Sequence, residues 1–363
     1  MRPTKAPRGN PGAFIMGGMR LAATPLDLLE LDLPRGEPWG YAFAQALLQA
    51  PWAWRALRPT PGLLGLIRQD LEALFLELER RRQDFPLGDL GERPPHPAEE
   101  GALQALLARD PEALVEVLKA HGPYPFALYR AFRFGEEVHP LPHPRLPQED
   151  ELVGYEEQLK ALRENARRFL SGKPALHTLL YGARGTGKST AAKSLLHLPG
   201  ARMVEVEPKA LPRLEALLER LGLLPHRFFL FLDDLSLDPE GEAFHHLKAL
   251  LEGSLEGPPE NVLLVATSNR RHLVRHLGEN PLPDQGPQAW DALQDALALS
   301  ERFGLVLTFP PFDKGLYLKA VAHHLGRTLT PAEEAEALRF ALQKGFSGRV
   351  ARQFALSQLG TTP

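Results

Sequence analysis

The sequence predicts an α/β core built on a parallel sheet, preceded by an all-α N-terminal domain and followed by a small helical segment. Two textures and one motif carry that expectation. Short continuous apolar runs, each bounded by glycine, proline or polar residues, alternate with helical stretches after residue 150: 176-LHTLLY-181, 201-ARMVEVE-207, 227-RFFLFLDD-234, 261-NVLLVATS-268 and 304-GLVLTF-309. Such runs suit strands covered by helices on both faces. Before residue 138 the pattern is helical instead, with leucines three and four apart in 62-GLLGLIRQDLEALFLELERRRQDF-85 and again in 98-AEEGALQALLARDPEALVEVLKAHG-122, around a proline break. The motif is the glycine-rich loop 182-GARGTGKST-190, which follows the first apolar run and opens a helix.

From these textures the expected organisation is a flexible leader over 1–19, a helical N-terminal domain over 20–138, a proline-rich linker over 139–150, an α/β domain over 151–312 and three helical segments over 313–363. Met16 and Met19 make a misplaced start an alternative reading of the leader. The stretch 139-HPLPHPRLPQED-150 has no apolar periodicity and reads as a linker. In the last segment Thr330 and Glu333 form a capping box around Pro331, which fixes a helix start.

Composition removes several functions. The 363 residues contain no cysteine, so disulfides, thiolate-zinc sites and cysteine nucleophiles are excluded. An apolar share of 44% is enough for more than one core. A net charge of -3 with mixed signs gives no bulk attraction for nucleic acid or anionic lipid. No apolar window is long enough to span a bilayer and the N-terminus lacks a signal-peptide core, so the expected location is cytoplasmic, without membrane insertion.

The loop satisfies G-x-x-x-x-G-K-[ST] with Gly182, Gly187, Lys188 and Ser189. Glycines let successive backbone N–H groups turn toward phosphates at a helix start. Lys188 reaches the β- and γ-phosphates and the Ser189 hydroxyl ligates magnesium. Gly182, Ala183, Arg184, Gly185, Thr186, Gly187, Lys188, Ser189 and Thr190 are therefore the expected phosphate cradle. Further along, 228-FFLFLDDL-235 is an apolar strand ending in two carboxylates: Asp233 would hold the magnesium, with Ser189, and Asp234 would polarise a water as general base. The next strand ends in 267-TSNRR-271, where Asn269, with Ser268 as substitute, is placed to contact a γ-phosphate or orient the water.

These pieces together resemble the AAA+ ATPases over residues 150–360, and the runs YGARGTGKST, FLDDLS, LLVATSNRRHL, LSERFGL and SGRVARQF resemble the bacterial group called domain of unknown function 815. The resemblance implies a P-loop NTPase core with a five-stranded parallel sheet of order 5-1-4-3-2, the helical segment over 313–363 as a lid, ATP/ADP and Mg2+ as ligands, and ATP hydrolysis. It implies that Leu152, Val153 and Gly154 in 152-LVGYEEQLKAL-162 lie on the adenine with Tyr155 nearby. It makes Asn269 a sensor of the γ-phosphate, Arg302 in 300-SERFGL-305 an arginine finger reaching a neighbouring subunit's site, and Arg349 in 347-SGRVARQF-354 the lid arginine that meets the γ-phosphate, with Arg352 as rival one turn later. Most enzymes of this type carry glutamate where Asp234 stands. A homo-oligomer is then expected, in a ring or open assembly with a hexamer favoured, acting on a macromolecular partner recruited through the helical N-terminal domain, a protein rather than nucleic acid.

Two other function classes fit the same residues: a P-loop kinase acting on a small molecule, and an ATP-gated scaffold with slow turnover. No N-K-x-D guanine signature occurs. The segment 205-EVEPKALPRLEALL-218 lacks the aromatic pore residue of protein-threading members. The basic cluster Arg270, Arg271, His272, Arg275 and His276 reads as a solvated or intersubunit face, with a nucleic-acid contact as the alternative. The pairs His245-His246 and His323-His324 lack a third ligand at metal spacing and read as solvated helix positions.

Overall fold

A computed structural model of the chain describes residues 39–60, 62–81, 96–147, 152–235, 242–248, 250–251, 257–269 and 302–359. The chain divides into two compact units, one of the residues up to Pro142 with Leu223–His226, the other of His143–Gly222 and Arg227–Pro363.

The first unit is a helical cluster closed by a hairpin. Helices α1 (Trp39–Gln49), α2 (Leu63–Arg81), α3 (Pro97–Ala108) and α4 (Pro111–His121) pack around Phe43, Leu47, Trp52, Ile67, Leu71, Leu106 and Leu114, all of them buried. Asp110 caps α4 by accepting from the Ala113 N–H, and Pro111 stands where an N–H would have no partner. The proline break expected in this stretch is thus a helix start. Buried Glu99 is satisfied on both oxygens, by Gln45 Nε2 at 2.9 Å and by the His96 N–H at 3.1 Å. Two short strands follow, β1 (Ala131–Phe134) and β2 (Val138–Pro140), paired antiparallel. The expectation of an all-α domain up to 138 is corrected here. The segment 131-AFRF-134 buries Phe132 and Phe134 and exposes Arg133, a period-two pattern too short to register against the helices before it.

In the second unit α5 (Glu156–Leu170) leads into β3 (Thr178–Gly182), α6 (Lys188–Ser194), β4 (Arg202–Val206), α7 (Leu214–Gly222), β5 (Phe228–Leu232), α8 (Glu242–Lys248), β6 (Val262–Ser268) and β7 (Leu305–Phe309). A 3-10 turn, Pro208–Arg213, occupies the segment where a pore loop would follow β4. The sheet has seven strands in the order β2-β1-β4-β5-β6-β3-β7. It is mixed, and so larger than the parallel five-stranded sheet expected: the antiparallel hairpin is the addition. The pairs β4 with β5, β5 with β6, β6 with β3 and β3 with β7 are all parallel. Central β5 and β6 are buried at every position, which is why each reads as an unbroken apolar run.

Three helices complete the unit: α9 (Lys314–Leu325), α10 (Pro331–Lys344) and α11 (Gly348–Leu359). Asp313 caps α9 through the Leu316 N–H. The Thr330 and Glu333 box is formed, and Arg327 grips the same carboxylate at 2.6 Å, holding Glu333 down at about 2, chiefly through that side-chain hydrogen bond. Among the described residues no helix is long and apolar enough to cross a membrane.

Candidate nucleotide site

The parallel register brings the ends of β3, β5 and β6 to one edge. Tyr181 lies opposite Ser268 and Leu232 opposite Ala266, so the loop after β3, the carboxylates after β5 and Asn269 after β6 emerge side by side. A cavity of about 520 Å³ opens there, within the size range of small-ligand sites.

The floor of the cavity is the glycine-rich loop. Gly187 adopts φ of 92° at the start of α6, a left-handed conformation that favours glycine, and the end of the Leu152 side chain lies where a Cβ would stand. Lys188 follows it, 5% exposed, and its ammonium donates to the carbonyl oxygens of Gly182 at 2.9 Å and Ala183 at 2.7 Å and to Asn269 Oδ1 at 2.6 Å. Burial lowers its pKa, the Asp234 and Asp233 charges oppose that shift and Arg184 adds to it. The Thr186 hydroxyl donates to the Ala183 carbonyl at 2.9 Å, which closes the loop on itself.

One wall is acidic. Ser189 Oγ donates to Asp233 Oδ1 at 2.6 Å, and the buried hydroxyl of Thr267 donates to the same oxygen at 2.7 Å. Asp234 stands at φ of 53°, a left-handed conformation that aspartate tolerates better than most residues. Its carboxylate is held by the Asn269 amide and lies 3.5 Å from the Arg184 guanidinium. Ser268 turns away: fully buried, its hydroxyl donates to the Leu235 carbonyl at 2.9 Å. Asn269, and not its substitute, faces the cavity.

The opposite wall is apolar and helical. Leu152, Val153, Tyr155 and Phe312 line it, with Tyr155 donating to the Pro310 carbonyl at 2.7 Å and its ring tilted against Phe309 at 4.8 Å between centroids. Helix α11 begins on the loop itself: the Gly348 N–H donates to the Gly185 carbonyl at 3.2 Å, and Ser347 caps the helix through the Val350 N–H. That contact directs both Arg349 and Arg352 to the cavity lining.

Of the residues singled out in sequence, Leu152, Val153, Arg184, Gly185, Thr186, Gly187, Lys188, Ser189 and Thr190 line this cavity, as do Asp233, Asp234, Asn269, Arg349 and Arg352. Gly182 and Ala183 take part through their carbonyls, and Gly154 backs onto Leu316 of α9. Arg302, just before β7, is exposed and stands outside the lining. Three participants were not singled out: Thr267, Gly348 and Phe312. His324, expected at a solvated position, is half-buried and lines the cavity, so that reading is corrected; it shares a helical face with Leu316, whose side chain covers Gly154. His245 and His246 are exposed on α8, and no group of three metal-ligating side chains occurs among the described residues. The basic cluster Arg270, Arg271, His272, Arg275 and His276 lies outside the described residues.

A parallel run β4-β5-β6-β3-β7, a glycine-rich loop between β3 and α6, paired carboxylates after β5 and three C-terminal helices make up an α/β fold with a cavity at the strand ends. The chain belongs to the family described as Protein of unknown function (DUF815), which matches residues 125–362. No curated protein matches it. Among solved structures it is similar to the Thermotoga maritima RuvB Holliday junction branch migration motor, at 17% identity and a TM-score of 0.40 over 58% of this chain and 63% of that one. A threonine-to-valine variant of the same RuvB gives 17% and 0.38 over 56% and 61%. An arginine-to-alanine variant gives 18% and 0.38 over 58% and 64%. The chain spans less than two thirds of each of these proteins.

Proposed function

We propose that this chain is an ATPase that binds Mg-ATP in the cavity above the glycine-rich loop and hydrolyses it at subunit interfaces, driving the remodelling or switching of a macromolecular partner. The observation that carries the reading is the convergence of Lys188, the Ser189–Asp233 pair and the Asn269–Asp234 pair on one 520 Å³ cavity. A hydroxyl 2.6 Å from a carboxylate is a hard oxygen pair suited to magnesium.

In this reading Lys188 exchanges the Gly182 and Ala183 carbonyls for phosphate oxygens, and Arg184, Gly185, Thr186, Gly187 and Thr190 complete the cradle. Ser189 and Asp233 hold the magnesium, which neutralises phosphate charge when bound. Asp234 takes the proton of the attacking water, and Asn269 holds that carboxylate and contacts the γ-phosphate. Arg349 or Arg352 meets the γ-phosphate from the lid, while Leu152, Val153 and Gly154 cover the base. Arg302 acts in trans on the next subunit of a homo-oligomer, and the helical N-terminal unit recruits a protein partner.

The second reading, an ATP-gated switch with slow turnover, has its own observation. Asp234 is one carbon shorter than glutamate, sits in a left-handed conformation, and is engaged by both Asn269 and Arg184. Arg302 separates the readings. If it acts in trans, turnover per subunit rises with protein concentration, and Arg302→Ala lowers it by a factor of about 10³ while ATP affinity is unchanged. A rate independent of concentration and indifferent to Arg302→Ala would overturn the trans assignment.

A further inference from the structure

We infer that Thr267 is a positioning residue of this site, joining the metal-holding carboxylate of Asp233 to the backbone of Asp234 so that metal ligand and base move as one unit. The inference rests on the Mg-ATP reading above and extends it to a residue that touches neither ATP nor the metal.

Thr267 is 1% exposed near the end of β6. Its hydroxyl uses both of its hydrogen-bonding capacities at once: it donates its single proton to Asp233 Oδ1 at 2.7 Å and accepts from the Asp234 N–H at 2.8 Å. The register that sets Leu232 opposite Ala266 makes Asp233 the next residue across from Thr267, so the contact follows from strand pairing. Two more bonds tie the same turn to the same strand, from the Leu235 N–H to the Thr267 carbonyl at 2.7 Å and from the Ser268 hydroxyl to the Leu235 carbonyl. The turn needs this support. Asp234 is a non-glycine residue at φ of 53°, and its amide, anchored on Thr267, holds that conformation.

Asp233 Oδ1 thus receives two hydroxyl protons, from Ser189 and from Thr267. The Ser189 hydroxyl is the one the Mg-ATP reading gives to the metal. Thr267 keeps the carboxylate from rotating when Ser189 is drawn away. Partners of metal ligands of this kind typically change metal affinity about 10- to 100-fold when removed.

Valine matches threonine in shape but neither donates nor accepts; serine keeps the hydroxyl and loses the methyl. For Thr267→Val the Mg2+ concentration giving half-maximal ATP turnover is expected to rise about tenfold or more and kcat to fall, while ATP affinity measured in EDTA stays at the native value. Thr267→Ser restores the Mg2+ dependence. A purely structural role would lower the melting temperature without moving the Mg2+ midpoint of the folded protein. A native Mg2+ midpoint in Thr267→Val, or a serine variant as impaired as valine, overturns the positioning role and leaves the Mg-ATP reading standing. ATP turnover by the native chain that is indifferent to Mg2+ would instead remove that reading, and this inference with it.

Discussion

Replacing Lys188 with alanine is expected to weaken ATP binding by about 100-fold or more. Lys188 is 5% exposed, and the three acceptors of its ammonium, the Gly182 and Ala183 carbonyls and Asn269 Oδ1, aim it across the mouth of the loop. Hydrogen bonds to charged groups contribute about 1.5–3 kcal/mol each, so losing one or two bonds to phosphate oxygens costs about 3 kcal/mol, or a factor of about 100 in affinity. The ligand-free protein loses less. Burial works against the charge of Lys188, and removing the group relieves that cost while leaving three oxygens short of a donor. Calorimetric titration with a non-hydrolysable ATP analogue checks the outcome, with the melting temperature of the free protein beside it. Affinity within about threefold of native would move the phosphates away from this loop. Lys188→Arg does not restore the site, because a planar guanidinium cannot occupy a pocket shaped for a compact ammonium.

The other large effect is at Asp234. Asp234→Asn is expected to cut phosphate release by about 10²–10⁴-fold, the range a general base contributes, with ATP affinity equal to native or higher. Asparagine has the same size, tolerates the left-handed backbone at φ of 53°, and still meets the Asn269 side chain, so the turn is kept while the basic oxygen is lost. Removing the negative charge beside Asp233 also lessens repulsion toward ATP phosphates. Single-turnover phosphate release beside equilibrium binding separates the two effects. An undiminished rate would place the base elsewhere, and weakened binding without loss of rate would make Asp234 a binding group.

Much of the second unit is legible in the sequence. β5 and β6 read as unbroken apolar runs because they are covered on both faces, and the polar residues just after them, Asp233, Asp234 and Asn269, meet at the cavity. The hairpin is not legible, since 131-AFRF-134 and 138-VHP-140 are too brief to show a period against the helical pattern before them. Thr267 escapes for another reason. Choosing among Thr267, Ser268 and Asn269 requires the register of β6 against β5 and β3, which decides that Ser268 is buried against Leu235 while Asn269 reaches Lys188. The meeting of Gly185 with Gly348 is a contact between positions far apart in the chain, and neither flanking pattern signals it. His324 could have been found: Leu316, Ala320 and His324 fall on one helical face, and that face carries Leu316 onto Gly154.

The most direct test of the central claim is phosphate release by the purified native chain from ATP, measured with Mg2+ and with EDTA at matched protein concentration. Release that requires Mg2+ and vanishes in EDTA while ATP remains bound is the predicted result, because the proposed reading gives Ser189 and Asp233 to the metal and Lys188 to the phosphates. An absence of ATP binding in both conditions, or release that proceeds equally in EDTA, would contradict it.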